Sequence, residues 1–264
     1  MPAYWRAAIV PLALASGGAG KPPALPAADA SVCRIFLKHD PAQSATKCIG
    51  ARSANWRFAF AYPSEAARIP ELDAFLRSRA ADAREEFEET LDDAAEHPEI
   101  EVWQETTYGL GADVPGLIGL SYAMAEYSGG AHPYHESDSL IWDRESERPV
   151  AFADLFEDGA AAGEEIDRLL CPVLDEARRR NGIRAPKGCR SKLTGFALVE
   201  GAGDRVNALA VMYDYLDGYV GSYSIRVPVT SRLLALIRER WRASFEVGTT
   251  AAVACGSADH WDCI

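Results

Sequence analysis

The chain lacks several features that would assign it to a common class of protein. Beyond its N-terminal segment, no apolar run approaches the roughly 18 residues that span a bilayer. No C-x-x-C pair occurs, which leaves zinc ribbons and thioredoxin-like redox centres without support. Positive charge is scarce, with 27 Lys and Arg against 39 Asp and Glu, a formal net charge of −12. This balance disfavours nucleic acid and anionic lipid as partners and favours a basic protein.

The first residues have the pattern of an export signal. Arg6 precedes the apolar run 7–14, and Ala13-Leu14-Ala15 fits the small-x-small sequence before a signal cleavage site. No cysteine lies near that site, which disfavours a lipid anchor. We predict a signal peptide at residues 1–15, a Gly-, Pro- and Ala-rich linker at 16–32, and a periplasmic or extracellular location for the secreted protein.

Six cysteines in a chain with an export signal favour disulfides over thiol chemistry, because oxidising compartments preserve such bonds. Six cysteines allow 15 pairings. Local pairings would each close a short loop or tie a helix to the turn after it. We therefore expect the bonds Cys33–Cys48, Cys171–Cys189 and Cys255–Cys263.

Apolar periodicity predicts more strands than helices. Because the strands follow one another through short links rather than alternating with helices, we predict an α+β fold, with antiparallel sheet covered by amphipathic helices and stapled by disulfides. A turn-rich stretch at 109–116 separates the second and third strands, Pro172 should kink or restart its helix, and a loose tail follows residue 247. The predicted strands are 56–62, 101–108, 117–127, 139–142, 193–199, 206–213 and 223–229, and the predicted helices are 70–96, 160–180 and one starting at Thr230 or Ser231.

The first long helix is strongly acidic. Between Glu71 and Glu101 there are 12 Asp and Glu against 3 Arg, a net charge of −9. Charge opposite an apolar stripe is ordinary for a helix with one solvated face. An acidic docking surface is the alternative interpretation.

The most distinctive stretch is Tyr127–Pro133, in which two glycines and a histidine separate two predicted strands. Gly129 and Gly130 are expected to supply positive φ or close backbone approach, and His132 a hydrogen bond across the turn. A ligand-contacting loop is the alternative. The candidate binding residues are those of this stretch and the exposed tyrosines of the second glycine-rich loop, namely Gly129, Gly130, His132, Tyr134, Tyr215 and Tyr219.

Catalytic and metal sites have little support. His132 and His135 are three apart, a spacing that puts them on opposite faces of a strand, and no third ligand accompanies them. Ser128, His132 and Asp138 lie close in sequence, but the chain has no G-x-S-x-G elbow. We predict no catalytic residue, no metal and no cofactor.

Several motifs coincide with a known pattern. They are Ile69-Pro70-Glu71-Leu72 before the acidic helix, Tyr127-Ser128-Gly129-Gly130-Ala131-His132, Trp142-Asp143 before 152–156, and Gly221-Ser222-Tyr223 before Val227-Pro228-Val229. Across residues 54–245 the chain resembles the exported paired domains of unknown function, families 3298 and 4163, found in the anti-sigma factor RsiV and the deacetylase PdaC. The resemblance implies an N-terminal α+β subdomain at 33–112, an RsiV-like domain at 113–246 and a tail at 247–264.

The resemblance and the charge favour a non-enzymatic exported binding module. Its expected partner is a cell-envelope component, such as a peptidoglycan-associated one, or a basic wall-degrading protein such as lysozyme, which the related module of RsiV recognises. An envelope hydrolase using the His132 loop is the first alternative. A structural periplasmic protein without a ligand is the second.

Overall fold

The computed structural model describes residues 32–33, 46–94, 100–180, 193–213 and 223–257. The predicted signal peptide, Cys189, Cys263 and the loop with Tyr215 and Tyr219 lie outside these ranges. Within them, no helix is both long and apolar enough to cross a membrane.

Ten strands of the described residues form two sheets, and this arrangement confirms the predicted α+β class. The larger sheet has six strands that lie side by side in chain order. Its strands are β1 (Thr46–Arg52), β2 (Trp56–Pro63), β3 (Val102–Val114), β4 (Leu117–Tyr127), β5 (Tyr134–Asp143) and β6 (Arg148–Val150).

The smaller sheet has four antiparallel strands in the order β10-β9-β8-β7. Besides the helical residues 32–33, the described chain contains five α-helices and one 3₁₀ helix. The strands are β7 (Leu193–Glu200), β8 (Val206–Tyr213), β9 (Tyr223–Pro228) and β10 (Val253–Ser257), and the helices are α1 (Ser64–Ala67), α2 (Pro70–Ala94), the 3₁₀ helix (Phe152–Leu155), α3 (Gly159–Arg180), α4 (Ser231–Leu236) and α5 (Glu239–Arg242).

The larger sheet is antiparallel except where β2 pairs with β3 in parallel. Parallel neighbours need a crossover connection, and α2 provides it. The apolar stripe of α2, with Leu72, Leu76, Ala80 and Phe87, is buried against one face of the sheet. The predicted amphipathic helix is therefore confirmed, with its acidic residues on the solvent side.

The other face of the larger sheet packs against β7. Leu198 of β7 lies over Gly111 and Gly119, and a Cβ at Gly111 would come within 2.3 Å of the Leu198 carbonyl oxygen. The larger sheet has a hydrophobic core on each face, one under α2 and one shared with β7 to β9 and α3. The register of β3 and β4 shifts at Gly111, so that Leu110 faces the first core and Ala112 faces the second. This β-bulge therefore places neighbouring residues of one face pattern, Leu110 and Ala112, in two different hydrophobic cores.

Several predicted boundaries differ from the structure. The stretch 109–116 is not a turn-rich segment, because β3 continues to Val114 and only Pro115 and Gly116 connect it to β4. β5 begins at Tyr134 rather than at 139, and Pro172 lies within an uninterrupted α3. The expected loose tail contains β10, which pairs with β9. Residues 112 and 113, between which a domain boundary is expected, both belong to β3, and the domain limits stay a prediction.

The structure contains the predicted disulfide between Cys33 and Cys48. Cys171 and Cys255 are also disulfide-bonded. Because Cys189 and Cys263 lie outside the described residues, the pairings predicted for them stay predictions.

A buried carboxylate joins α3 to the start of α4. Glu165 is 2% exposed and accepts hydrogen bonds from the Arg168 guanidinium at 2.7 and 2.9 Å and from the Thr230 hydroxyl at 3.0 Å. Thr230 in turn caps α4 by accepting from the Leu233 amide at 3.1 Å. The side-chain hydrogen bond from Arg168 lowers the pKa of Glu165 against the opposing effect of burial.

Glu165→Gln is expected to destabilise the fold at neutral pH by about 1–3 kcal/mol, because it removes a buried charge that accepts several hydrogen bonds. A carboxyl with a lowered folded-state pKa stabilises the fold above its unfolded pKa and loses that contribution as the pH falls. The deficit measured by urea unfolding should therefore shrink as the pH falls below about 4. Glu176→Gln on the same helix is the control, and an equal deficit there would contradict the assignment.

Candidate binding face

The predicted glycine and histidine stretch forms the exposed connection between β4 and β5. Gly129 has a φ of +99°, and a Cβ there would meet Ile100 at 3.4 Å, which explains the need for glycine. Gly130 has neither constraint, since a Cβ there would have its nearest neighbouring atom 4.0 Å away. His132 is exposed, and its Nδ1 donates to the carbonyl oxygen of the adjacent Pro133 at 3.1 Å rather than across the turn.

Three residues of β5 share the face of the sheet that α2 covers. Side chains alternate along a strand, so Tyr134, Glu136 and Asp138 lie on the same side as Leu140 and Trp142, which pack beneath α2. Tyr134 is 61% exposed. The glycine and histidine turn therefore leads directly into a tyrosine followed by two carboxylates.

A buried tyrosine and a partly buried one underlie this part of the sheet. Tyr108, Tyr122 and Asp138 occupy one row across β3, β4 and β5, and the two tyrosine rings are 5.2 Å apart. The guanidinium of Arg79, from α2, forms a side-chain hydrogen bond with the Tyr108 hydroxyl. Burial raises the pKa of both tyrosine hydroxyls above its ordinary value.

The two carboxylates repel each other. Glu136 is exposed, but partial desolvation by the surrounding protein raises its pKa, the negative charges of Asp138 and Glu86 raise it further, and Arg79 opposes them. Asp138 is likewise exposed, and partial desolvation raises its pKa. The Ser139 amide, which donates to its Oδ1 at 2.7 Å, and Arg79 oppose this rise. Glu136 and Asp138 therefore share the field of one guanidinium. We call Tyr134, Glu136, Asp138, Glu86 and Arg79 the acidic face.

The catalytic alternatives gain no geometric support. Among the described residues, no group of three His, Cys, Asp or Glu side chains has the geometry to hold a metal ion. His135 alternates with Tyr134 along β5 and lies on the opposite side of the sheet. In the same part of the chain, no hydrogen bond joins His132 to Ser128 or Asp138.

Prediction from sequence identifies only part of this surface. Tyr134 and the neighbouring turn are among the candidates, whereas Glu136, Asp138 and Arg79 are not. The alternation of Tyr134, Glu136 and Asp138 is the signal that identifies them, provided that the strand is recognised to start at Tyr134. Tyr215 and Tyr219 lie outside the described residues.

Comparison with solved structures places this fold among known ones. The chain matches the crystal structure of a DUF3298 family protein from Pseudomonas aeruginosa PAO1 with a TM-score of 0.51 and 14% identity, over 74% of this chain and 94% of that one. The chain shares the DUF3298 fold. A DUF3298 family member from Bacteroides fragilis aligns with a TM-score of 0.44 and 13% identity, over 75% of this chain and 96% of that one.

The DUF3298 likeness concerns the fold alone at this level of identity. No family model matches the sequence, and no curated protein matches it. The resemblance to the RsiV and PdaC pair of domains stays a prediction.

Proposed function

We propose that the protein is an exported, non-enzymatic binding module. Its acidic face would bind a basic wall-degrading protein such as lysozyme. The single observation that supports it most is the pair of like charges at Glu136 and Asp138. The pKa of both carboxyls is raised in the folded chain, and the charge of Asp138 contributes to the rise at Glu136. Their ionisation therefore costs the folded chain stability, and a cationic partner would relieve that cost.

The surroundings of the pair suit a protein partner. Glu86 belongs to the exposed acidic side of α2, which extends the negative surface beyond β5 to Glu85 and Glu89. Tyr134 adds a large, exposed aromatic side chain, a type that is enriched where interfaces concentrate binding energy. The combination offers charge to attract a basic partner and an aromatic group to anchor it.

Titration of the protein with lysozyme at low and at moderate salt tests the proposal. We expect a saturable complex with a defined stoichiometry that weakens as salt rises, because the attraction between exposed charges is screened. Isothermal calorimetry supplies the affinity and the stoichiometry together. The absence of a saturable complex at low salt would rule out lysozyme as the partner.

A further inference from the structure

A concave site lies away from the acidic face. A cleft of about 620 Å³ separates edge strand β6 from the junction of α4 and α5. Its volume is in the range of pockets that hold small molecules, about 300–1,000 Å³. Pro149 and Val150 supply an apolar portion of its lining.

The backbone around the cleft is held in place. The Glu157 amide donates to the Leu236 carbonyl oxygen at 2.8 Å, and the Arg238 amide donates to the Leu155 carbonyl oxygen at 2.9 Å. These two bonds join the segment after the 3₁₀ helix to the segment between α4 and α5. The backbone positions of the charged residues that both segments contribute to the cleft are therefore fixed relative to one another.

Three arginines line the cleft in a chain whose formal net charge is −12. The guanidinium of Arg240 lies 3.6 Å from the ring centre of Trp241 and 3.8 Å from the buried Asp143 carboxylate, which together orient it. Arg238 donates from Nε to the Asp154 carbonyl oxygen at 2.8 Å. Arg148 has no side-chain hydrogen bond or ion pair with any other residue that the structure describes.

The acidic residues of the cleft are not equivalent. Glu239 pairs with Arg242, and Glu157 lies 3.7 Å from Arg238. The Asp154 carboxylate has no side-chain partner within the described ranges, although its backbone oxygen binds Arg238. The cleft therefore presents an unpaired guanidinium at Arg148, an oriented one at Arg240 and an unpaired carboxylate at Asp154.

We propose that this cleft binds a small zwitterion, an amino acid or a short peptide. Its carboxylate would be bound by Arg148 and Arg240, since the planar guanidinium matches carboxylate geometry in a bidentate contact. Its ammonium group would be bound by Asp154. A simple anion such as phosphate would satisfy the arginines and leave Asp154 as a repulsive neighbour, so the charge pattern favours the zwitterion.

The test uses the dipeptide Ala-Ala as the probe and follows binding by amide chemical shifts of the full chain. We expect saturable shifts around the cleft, weakened at least about tenfold by Arg148→Gln and by Asp154→Asn. Arg205→Gln, an exposed arginine outside the cleft, is the matched control and should bind as the parent does. Thermal unfolding confirms that each variant remains folded.

Probe chemistry distinguishes the zwitterion from other ligands. The C-terminal amide and the N-acetyl form of Ala-Ala, which each lack one charge, should both bind more weakly than the free dipeptide. The absence of saturable shifts with Ala-Ala at millimolar concentration would overturn the proposal. So would a capped form that binds as tightly as the free dipeptide, or inorganic phosphate that binds in the cleft as tightly as Ala-Ala or more tightly.

Discussion

Gly111→Ala is expected to cause a large loss of stability, about 1–3 kcal/mol or more. The added methyl group would lie 2.3 Å from the Leu198 carbonyl oxygen, which is a backbone atom of β7 and cannot rotate away as a side chain would. Because β7 is paired with β8, relief requires the two sheets to move apart. Urea unfolding measures the difference as a lower midpoint at an unchanged slope.

Two further glycines provide a graded comparison. At Gly119 the new methyl group would meet the Leu198 side chain at 2.8 Å, and at Gly130 it would enter open space. The loss should therefore decrease in the order Gly111→Ala, Gly119→Ala, Gly130→Ala. If the Gly111→Ala protein is as stable as the Gly130→Ala protein, β3 and β7 do not approach each other closely at Gly111, and the explanation is contradicted.

Neutralising the acidic face with Glu136→Gln and Asp138→Asn together is expected to strengthen the fold while it weakens partner binding. The pKa of each carboxyl is raised in the folded chain, so the folded state binds the proton more tightly than the unfolded state. Ionisation at neutral pH therefore costs stability, and the double variant should unfold at a higher temperature than the parent.

The pH dependence distinguishes this explanation from improved packing. The stability cost disappears as the pH falls toward the ordinary carboxyl range near about 4, since both groups then become protonated in the parent. The gain of the double variant, followed by thermal unfolding, should accordingly be present at pH 7 and shrink on acidification. A gain that is independent of pH would argue against electrostatic repulsion as its cause.

Much of the fold follows from apolar periodicity. The limits predicted for the strands at 117–127 and 206–213 match β4 and β8, because each has apolar residues on two buried faces and turn residues at its ends. The acidic helix is predicted within two residues because its apolar stripe has an unbroken helical period. For these two strands and this helix, the local apolar period and the residues at the ends are enough to predict the element.

The errors occur where contacts distant in sequence decide the structure. The glycines at 109–116 suggest turns, but Gly111 and Gly119 serve close packing against Leu198. The sequence does not predict β1, because its few apolar residues show no clear alternation and pairing with β2 determines it. No periodic signal distinguishes a glycine needed for a turn from one needed for contact between sheets.

The candidate site is only partly predictable for the same reason. The turn and Tyr134 are conspicuous in the sequence, and the positive φ expected at Gly129 is present. The segment 134–138 is polar and is not predicted as a strand, although it pairs with β4. Its two carboxylates face α2 only because of that pairing, and the approach of Arg79 depends on the position of a helix more than 50 residues earlier in the chain.

The central claim is that the acidic face binds a basic protein such as lysozyme. The most direct test is to titrate lysozyme into the parent protein and, in parallel, into the double variant Glu136→Gln, Asp138→Asn. A second variant, Glu164→Gln with Glu176→Gln, makes the same change in net charge on α3, away from β5. The predicted result is that the first variant binds at least about tenfold more weakly while the second binds nearly as the parent does. Equal weakening by both variants would contradict a localised binding face, because net charge alone would then explain the attraction.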